Sequence, residues 1–236
     1  MNKYTTLSLF LFFLVMACQP TQEELLQKGI QEMNADDYQA AAPFFERVLD
    51  EDPYQYTALN ALGVAKLRTG DYEQSVALLT TAINVDTTNY KAFFNRGVAF
   101  MALEKNNEAM LDFDYAIGLD SAVVDLYLNR GALLFKYGEF DRALFDFQYA
   151  LNISPESPVI LLNKGKAELR INNPTDAIYS FKKALSFDPE LAEAYYWLGL
   201  AEIARGNQVV GCNYLFSAQS FELEGVSEVI AENCMQ

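Results

Sequence analysis

Six glycines recur at a constant interval of 34 residues through most of this 236-residue chain. They are Gly29, Gly63, Gly97, Gly131, Gly165 and Gly199. Twelve positions after each glycine the residue is small, four positions later it is a large Phe or Leu, and three positions after that it is small again. A fixed interval of this length predicts a stack of repeated supersecondary units.

The recurring small residues predict that each repeat is a hairpin of two closely packed helices. Glycine on the first helix and a small residue on the second let the backbones approach, while the large residue fills the space beside them. Residues that end helices or accept left-handed backbone stand between the two helices. They are Asp36 and Asp37, Gly70 and Asp71, Lys105 to Asn107, Gly138 and Glu139, Asn172 to Pro174, and Gly206 and Asn207.

Pro53, Pro155 and Pro189 follow the second helices of three repeats. Gly, Ala, a large aromatic residue, Ala and Pro at these offsets resemble the tetratricopeptide repeat (TPR) family. Tyr38, Tyr72 and Phe140 fill the aromatic position that follows the turn in that family. The resemblance implies an all-α, right-handed α-solenoid of six hairpins. Its repeats would be residues 22–55, 56–89, 90–123, 124–157, 158–191 and 192–225. The resemblance also implies a concave groove, lined by the first helices, that holds another protein or a peptide.

The N-terminus has the pattern of a cleaved signal. Lys3 gives a basic start, and residues 7–16 form an apolar run too short to span a ~30 Å hydrocarbon core as a helix. Residues 15–18 resemble a bacterial lipobox, which implies a signal peptide at 1–17, acylation of Cys18 and a lipidated tether at 18–21. The resemblance to outer-membrane lipoproteins, with Gln19 rather than Asp after the cysteine, favours the outer membrane over the inner membrane of a cell envelope. Ordinary secretion without a lipid is the alternative.

The first repeat is predicted to begin close to this tether. Thr21 and Glu24 form a capping-box pattern, in which each side chain accepts a hydrogen bond from the other residue's backbone N–H. The first helix should therefore start at Gln22, and the repeats should lie close to the membrane.

Charge and composition narrow the classes of function. The chain has 17 basic and 32 acidic residues, a net charge of −15, and no histidine. An acidic surface repels nucleic acid and anionic lipid headgroups, although it also suits a cationic partner. The lack of histidine removes the commonest general base and the commonest metal ligand. We therefore predict no enzymatic activity, no metal site and no cofactor.

Three successive repeats carry asparagine two residues before the glycine. In TPR arrays this position borders the concave face, so the amides either hydrogen-bond an extended peptide or satisfy neighbouring helix carbonyls. The adjacent groove positions are mostly apolar, and basic residues recur at the edge, where they either pair with an acidic peptide or balance nearby acids. The candidate groove residues are Asn95, Asn129, Asn163, Phe94, Leu128, Leu162, Val98, Arg68, Lys136 and Arg170.

Two columns of residues, sixteen positions apart, change together from repeat to repeat. Arg96 and Arg130 precede their glycines, and Asp112 and Asp146 stand sixteen residues later. In the second and sixth repeats both positions are apolar, with Leu62 and Leu78 in one and Leu198 and Tyr214 in the other. This coupling predicts contact within one hairpin. The two arginines are therefore interpreted as structural, because a buried charge needs its partner.

The segment 226–236 is predicted to be a short helix that caps the last repeat. Cys212 in the sixth repeat and Cys234 in the cap are about equally far from the turn near residues 223–225, so an antiparallel arrangement places them opposite each other. They form either a disulfide in an oxidising compartment or two buried free thiols.

Together these features predict a membrane-anchored scaffold or adaptor that binds a protein or peptide partner in cell-envelope assembly or secretion. The alternative is a self-associating structural module, a homodimer in which no peptide groove is used.

Overall fold

The computed structural model describes residues 20–235, so the expected signal peptide at 1–17 and the acylated Cys18 lie outside the described residues. All thirteen regular elements in this range are α-helices. They are α1 (Gln22–Asn34), α2 (Tyr38–Glu51), α3 (Tyr56–Arg68), α4 (Tyr72–Val85), α5 (Tyr90–Ala102), α6 (Asn106–Leu119), α7 (Val124–Lys136), α8 (Phe140–Ile153), α9 (Pro158–Arg170), α10 (Pro174–Phe187), α11 (Ala192–Ala204), α12 (Gln208–Ser220) and α13 (Val226–Cys234). The all-α prediction is confirmed.

The helices fall into two compact units whose boundary lies between Lys105 and Asn106. The first unit contains α1 to α5 and the second contains α6 to α13. Within each unit every helix packs against the next one along the chain. The first helices of neighbouring hairpins also touch, α1 with α3 and α3 with α5 in one unit, and α7 with α9 and α9 with α11 in the other. This packing of consecutive helix pairs is typical of a TPR solenoid.

The first helix begins where the capping box predicts. The backbone N–H of Glu24 donates to the Thr21 hydroxyl at 3.2 Å, and the backbone N–H of Thr21 donates to the Glu24 carboxylate at 2.9 Å. Two N-terminal donors are thereby satisfied, and α1 starts at Gln22.

The periodic glycines lie where a large side chain of the second helix crosses the first. A Cβ atom on Gly165 would lie 2.5 Å from the ring of Phe181, and one on Gly63 would lie 2.7 Å from Leu79 Cγ. Phe181 and Leu79 are fully buried. The glycine column is therefore a steric requirement of the hairpin, because no larger residue fits without moving a packed side chain.

Each hairpin turn holds one residue in left-handed backbone, and these residues also recur every 34 positions. They are Asp36, Gly70, Glu104, Asn172, Gly138 and Gly206. The third turn differs from the expectation of Lys105 to Asn107, since its left-handed residue is Glu104. The backbone N–H of Lys105 donates to the Phe100 carbonyl at 2.8 Å and closes the helix end in the same way as in the other turns. The repeat register thus fixes the turn conformation even where the residue type is unfavourable.

The sixth hairpin has Gly211 where the other repeats have Ala or Ser. A Cβ atom on Gly211 would lie 2.6 Å from the Gly199 carbonyl oxygen and 2.5 Å from Ile203 Cγ1. At the same position in the second hairpin, the Ser75 hydroxyl donates to the Gly63 carbonyl at 2.8 Å. The two backbones of the sixth hairpin are therefore too close for any side chain at this position.

We expect Gly211→Ala to lower the free energy of unfolding by about 1–3 kcal/mol, because the added methyl group has to push two backbones apart. Urea unfolding followed by circular dichroism measures this change. Gly118→Ala is the control, because a Cβ atom at this position meets nothing within 4 Å. This substitution only replaces a flexible glycine in helix α6 by alanine. Equal stability of native chain and Gly211→Ala would show that the close approach is absent in solution.

The C-terminal helix α13 packs against α12 and covers the end of the last hairpin. Val226 and Ile230 are 1% exposed and contact a cluster that includes Leu215. Cys212 and Cys234 form a disulfide with a Cα–Cα distance of 5.7 Å. Of the two possibilities left open by the sequence, the structure contains the disulfide, which ties the end of α13 to α12.

Candidate functional site

The predicted asparagine ladder is divided between the two units, and its members make different contacts. Asn95 Nδ2 donates to Asn60 Oδ1 at 3.1 Å, which links α5 to α3 in the first unit. Asn129 Nδ2 donates to the Asp125 carbonyl of its own helix at 2.8 Å in the second unit. Asn163 is partly buried on α9. The contacts of Asn95 and Asn129 favour the structural interpretation of these two amides.

The apolar groove candidates also differ in accessibility. Phe94, Val98 and Leu128 are partly buried and keep some exposed surface. Leu162 is only 4% exposed and belongs to the hydrophobic core of the second unit. Its expected place in an accessible groove is corrected, because α9 is packed on both sides by neighbouring hairpins.

The structural interpretation of Arg130 agrees with its contacts. Arg130 donates from Nε to Asp146 Oδ2 at 2.9 Å and from Nη2 to Asp146 Oδ1 at 2.7 Å, and its Nη1 reaches Asp114 at 2.7 Å. The hydrogen bonds that Arg130 donates to Asp146 outweigh burial and raise the pKa of Arg130 above its ordinary value. Of the other predicted pair, Arg96 lies in the first unit and Asp112 in the second.

A group of rings and charges lies on the surface formed by α7, α9 and α11, which we call the first-helix face of the second unit. Two residues come from α9, two from α11, and one each from the end of α7 and the start of α8. Residues four apart on a helix share a face, so each pair projects to the same side. The members of this cation–aromatic cluster are Phe135, Phe140, Lys166, Arg170, Glu193 and Trp197.

Glu193 connects the two helices within the cluster. Its Oε1 accepts hydrogen bonds from Lys166 Nζ at 2.6 Å and from the Trp197 indole N–H at 3.1 Å. Burial alone would raise the pKa of Glu193, but these two hydrogen bonds outweigh it and lower the pKa below its ordinary value. Glu193 is therefore ionised at neutral pH and fixes the orientation of the Trp197 ring.

Arg170 lies among three aromatic rings. Its Cζ is 5.9 Å from the ring centroid of Phe135 and 6.0 Å from those of Phe140 and Trp197. These distances lie at the outer edge of the cation–π range. Arg170 itself is exposed, and within residues 20–235 no carboxylate lies within ion-pair distance of it or of Lys136. The guanidinium thus lies near three rings and remains available to a carboxylate from outside.

The third basic candidate, Arg68, has a different environment in the first unit. Its guanidinium lies 5.8 Å from the ring centroid of Tyr38. An open depression of about 460 Å³ beside it is also lined by Asp36 and Asp37. Arg68 therefore shares this depression with two acidic residues of its own chain.

The cation–aromatic cluster was not identified from the sequence, although one signal was present. Trp197 is the single tryptophan of the chain and occupies the same repeat position as Asn95, Asn129 and Asn163. A change from three amides to a large ring at one repeat position marks the end of the ladder as chemically distinct.

Two further properties of the described range bear on function. Between residues 20 and 235 no group of three or more Cys, Asp or Glu residues is arranged to hold a metal ion. None of the helices in this range has the length and apolar character needed to cross a bilayer.

Comparison with family models identifies the repeats. Residues 32–94 match a model described as tetratricopeptide repeat, and residues 171–202 match one described as TPR repeat. The chain therefore contains tetratricopeptide repeats. The first match lies towards the N-terminal end of the predicted repeats and the second towards their C-terminal end. None of the curated proteins compared with the chain matches it.

Several solved structures have the same fold. PilW, a widely conserved type IV pilus biogenesis factor, is similar with a TM-score of 0.78 and 20% identity over 91% of this chain and all of PilW. YrrB, a TPR protein with an unusual peptide-binding site, has a TM-score of 0.69 and 19% identity over 80% of this chain and 97% of YrrB. The C-terminal part of a TPR repeat-containing protein from Cytophaga hutchinsonii has a TM-score of 0.71 and 17% identity, covering 83% and 78% of the two chains. At these identities the likeness concerns the fold alone.

Proposed function

We propose that this protein is a membrane-anchored TPR scaffold that binds a protein or peptide partner on its first helices, in cell-envelope assembly or secretion. The observation that supports this most is Arg170, an exposed cation that lies near three rings and has no carboxylate within ion-pair distance between residues 20 and 235. A preorganised but unsatisfied charge next to apolar surface is suited to recognition. PilW is a pilus biogenesis factor and YrrB has a peptide-binding site, which makes a binding role in assembly a natural hypothesis. No catalytic role is proposed.

The membrane anchor in this proposal is a lipid on Cys18. Two or three acyl chains would hold the protein firmly, because each buried CH₂ contributes about 0.8 kcal/mol. Since α1 starts at Gln22, only residues 18–21 would separate the first hairpin from the bilayer, for which we propose the outer membrane. Palmitate labelling of the native chain that persists in Cys18→Ser would refute this anchor.

The binding role is tested by affinity capture from a detergent-solubilised native envelope with the full-length chain as bait. Ala132→Gln adds bulk at an exposed position of α7, three residues before Phe135 and four before Lys136. We expect this variant to lose the partner because the added side chain covers the first-helix face without disturbing the core. Ala231→Gln, at an exposed position of α13, is the matched control and should retain the partner.

The same proteins recovered with all three baits would exclude the first-helix face as the contact surface. Circular dichroism of each bait establishes that the variants are folded before the comparison is made.

A second candidate function, self-association, is favoured by an apolar column on the second helices of the second unit. Leu111, Phe145 and Tyr179 occupy the same position in three successive repeats and are 60%, 66% and 67% exposed. Exposed apolar rows of this kind occur at protein interfaces. Light scattering of the purified chain at micromolar concentration gives a dimer mass if this column mediates self-association, and Phe145→Glu then restores the monomer.

A further inference from the structure

The first helices of the middle hairpins have a net positive charge, whereas the chain as a whole is net negative. The helices α3, α5, α7 and α9 carry nine basic and two acidic residues, hence a net charge of +7, in a chain whose net charge is −15. The flanking first helices do not share this excess, since α1 and α11 are both net acidic. Basic residues are therefore concentrated on one set of helices in an otherwise acidic protein.

Most of the basic residues of α7 and α9 are neutralised inside the second unit. Each of three cations contacts a carboxylate, and two of these carboxylates are themselves buried. The pairs are Arg130 with Asp146, Lys164 with Glu168, and Lys166 with Glu193. These three cations stabilise the hairpins and contribute little net charge to the surface.

The two remaining cations, Lys136 and Arg170, occupy the same position in neighbouring repeats. Each is the last residue of its helix, and the two helices, α7 and α9, touch. Both side chains are exposed, and the part of the second unit that the structure describes provides no carboxylate within ion-pair distance of either one. Phe135 precedes Lys136 directly, and its ring also contacts Arg170. Arg170 thus adjoins an aromatic surface, and Lys136 occupies the equivalent end of the neighbouring helix.

We infer that this part of the first-helix face binds an acidic peptide segment, with a carboxylate on Arg170 and Lys136 and an apolar side chain against Phe135 and Trp197. The inference rests on the proposed binding function and adds the chemistry of the partner. The planar guanidinium of an arginine presents its N–H donors in a fixed fork, which matches the two oxygens of a carboxylate.

A short acidic segment suits this surface better than a nucleic acid or an anionic bilayer. The excess positive charge is confined to a few helices, and an extended polyanion would also meet the acidic remainder of the chain. At physiological salt, charges more than about 8 Å apart are largely screened, so a segment of a few residues senses mainly the local cations.

The test uses a phage-displayed library of random dodecapeptides panned against the immobilised full-length chain. Peptides enriched by the native chain should be rich in Asp and Glu, with at least one aromatic or large aliphatic residue nearby. The site variant is Lys136→Gln with Arg170→Gln. Its matched control is Lys183→Gln with Arg47→Gln, which removes the same two charge types from second helices. Circular dichroism establishes that both variants are folded.

We expect the affinity of a synthetic peptide of the enriched sequence to fall at least tenfold in the site variant and to stay within twofold in the control. Enrichment of peptides without an acidic bias, or equal affinity for the site variant, would overturn the inference and leave the proposed binding function standing. Failure to enrich any peptide would contradict both.

Discussion

Replacing Arg130 by Met is expected to lower the free energy of unfolding by about 3–5 kcal/mol, because it leaves the buried carboxylate of Asp146 without its ion-pair partner. Asp146 is 1% exposed and receives two hydrogen bonds from the guanidinium. Without Arg130 this ionised group keeps the cost of leaving water and loses its compensation. Equilibrium urea unfolding followed by circular dichroism gives the loss directly.

A second variant shows whether the penalty comes from the stranded charge. Arg130→Met combined with Asp146→Leu removes both charges, and we expect it to recover most of the lost stability, since apolar replacements of buried ion pairs are often neutral or better. The control is Arg142→Met, which breaks an exposed pair with Glu139 and should cost about 0–1 kcal/mol. A loss for Arg130→Met no larger than that of the control would contradict the structural role of this arginine.

Reducing the disulfide is expected to lower the stability of the second unit by about 3 kcal/mol. Cys212 and Cys234 are separated by 22 residues, and opening a loop of that length returns conformational entropy to the unfolded chain. The native state also loses its restraint on α13, whose Val226 and Ile230 are buried against the last hairpin. The measurement is the urea midpoint of the native chain with and without dithiothreitol.

The variant Cys212→Ala with Cys234→Ala serves as the control for this prediction. Its urea midpoint should be low in both conditions, because it has no bond between these positions to reduce. If dithiothreitol leaves the midpoint of the native chain unchanged, the pair is not oxidised in the purified protein and α13 is held by packing alone.

The architecture follows from the sequence because its main steric requirement recurs in register. The contact of a periodic glycine with a large residue sixteen positions later, as in Gly165 with Phe181, is repeated along the chain and is visible as two columns. The pair Arg130 and Asp146 has the same spacing, so it could be predicted in the same way. The positions of Cys212 and Cys234 opposite each other follow from their similar distances from a turn in the sequence.

The candidate site could be predicted only in part, because its contacts do not follow the repeat. Lys166 reaches Glu193, 27 residues away, a spacing that matches no column of the array. Exposure also varies within a column. Leu128 is partly exposed while Leu162, one repeat later, is buried, since exposure depends on the side chains of neighbouring hairpins. Contacts and exposures of this kind can be determined only from the packed structure.

The most direct test of partner binding on the first-helix face is the fluorescence of Trp197, which is the single tryptophan of the chain and part of the cation–aromatic cluster. The purified chain is titrated with the captured partner, or with an enriched acidic peptide, while calorimetry measures binding independently. We expect a saturable change in Trp197 emission with the same dissociation constant as calorimetry. Binding detected by calorimetry with no change in emission would contradict it, because the partner would then contact a surface other than the first-helix face of the second unit.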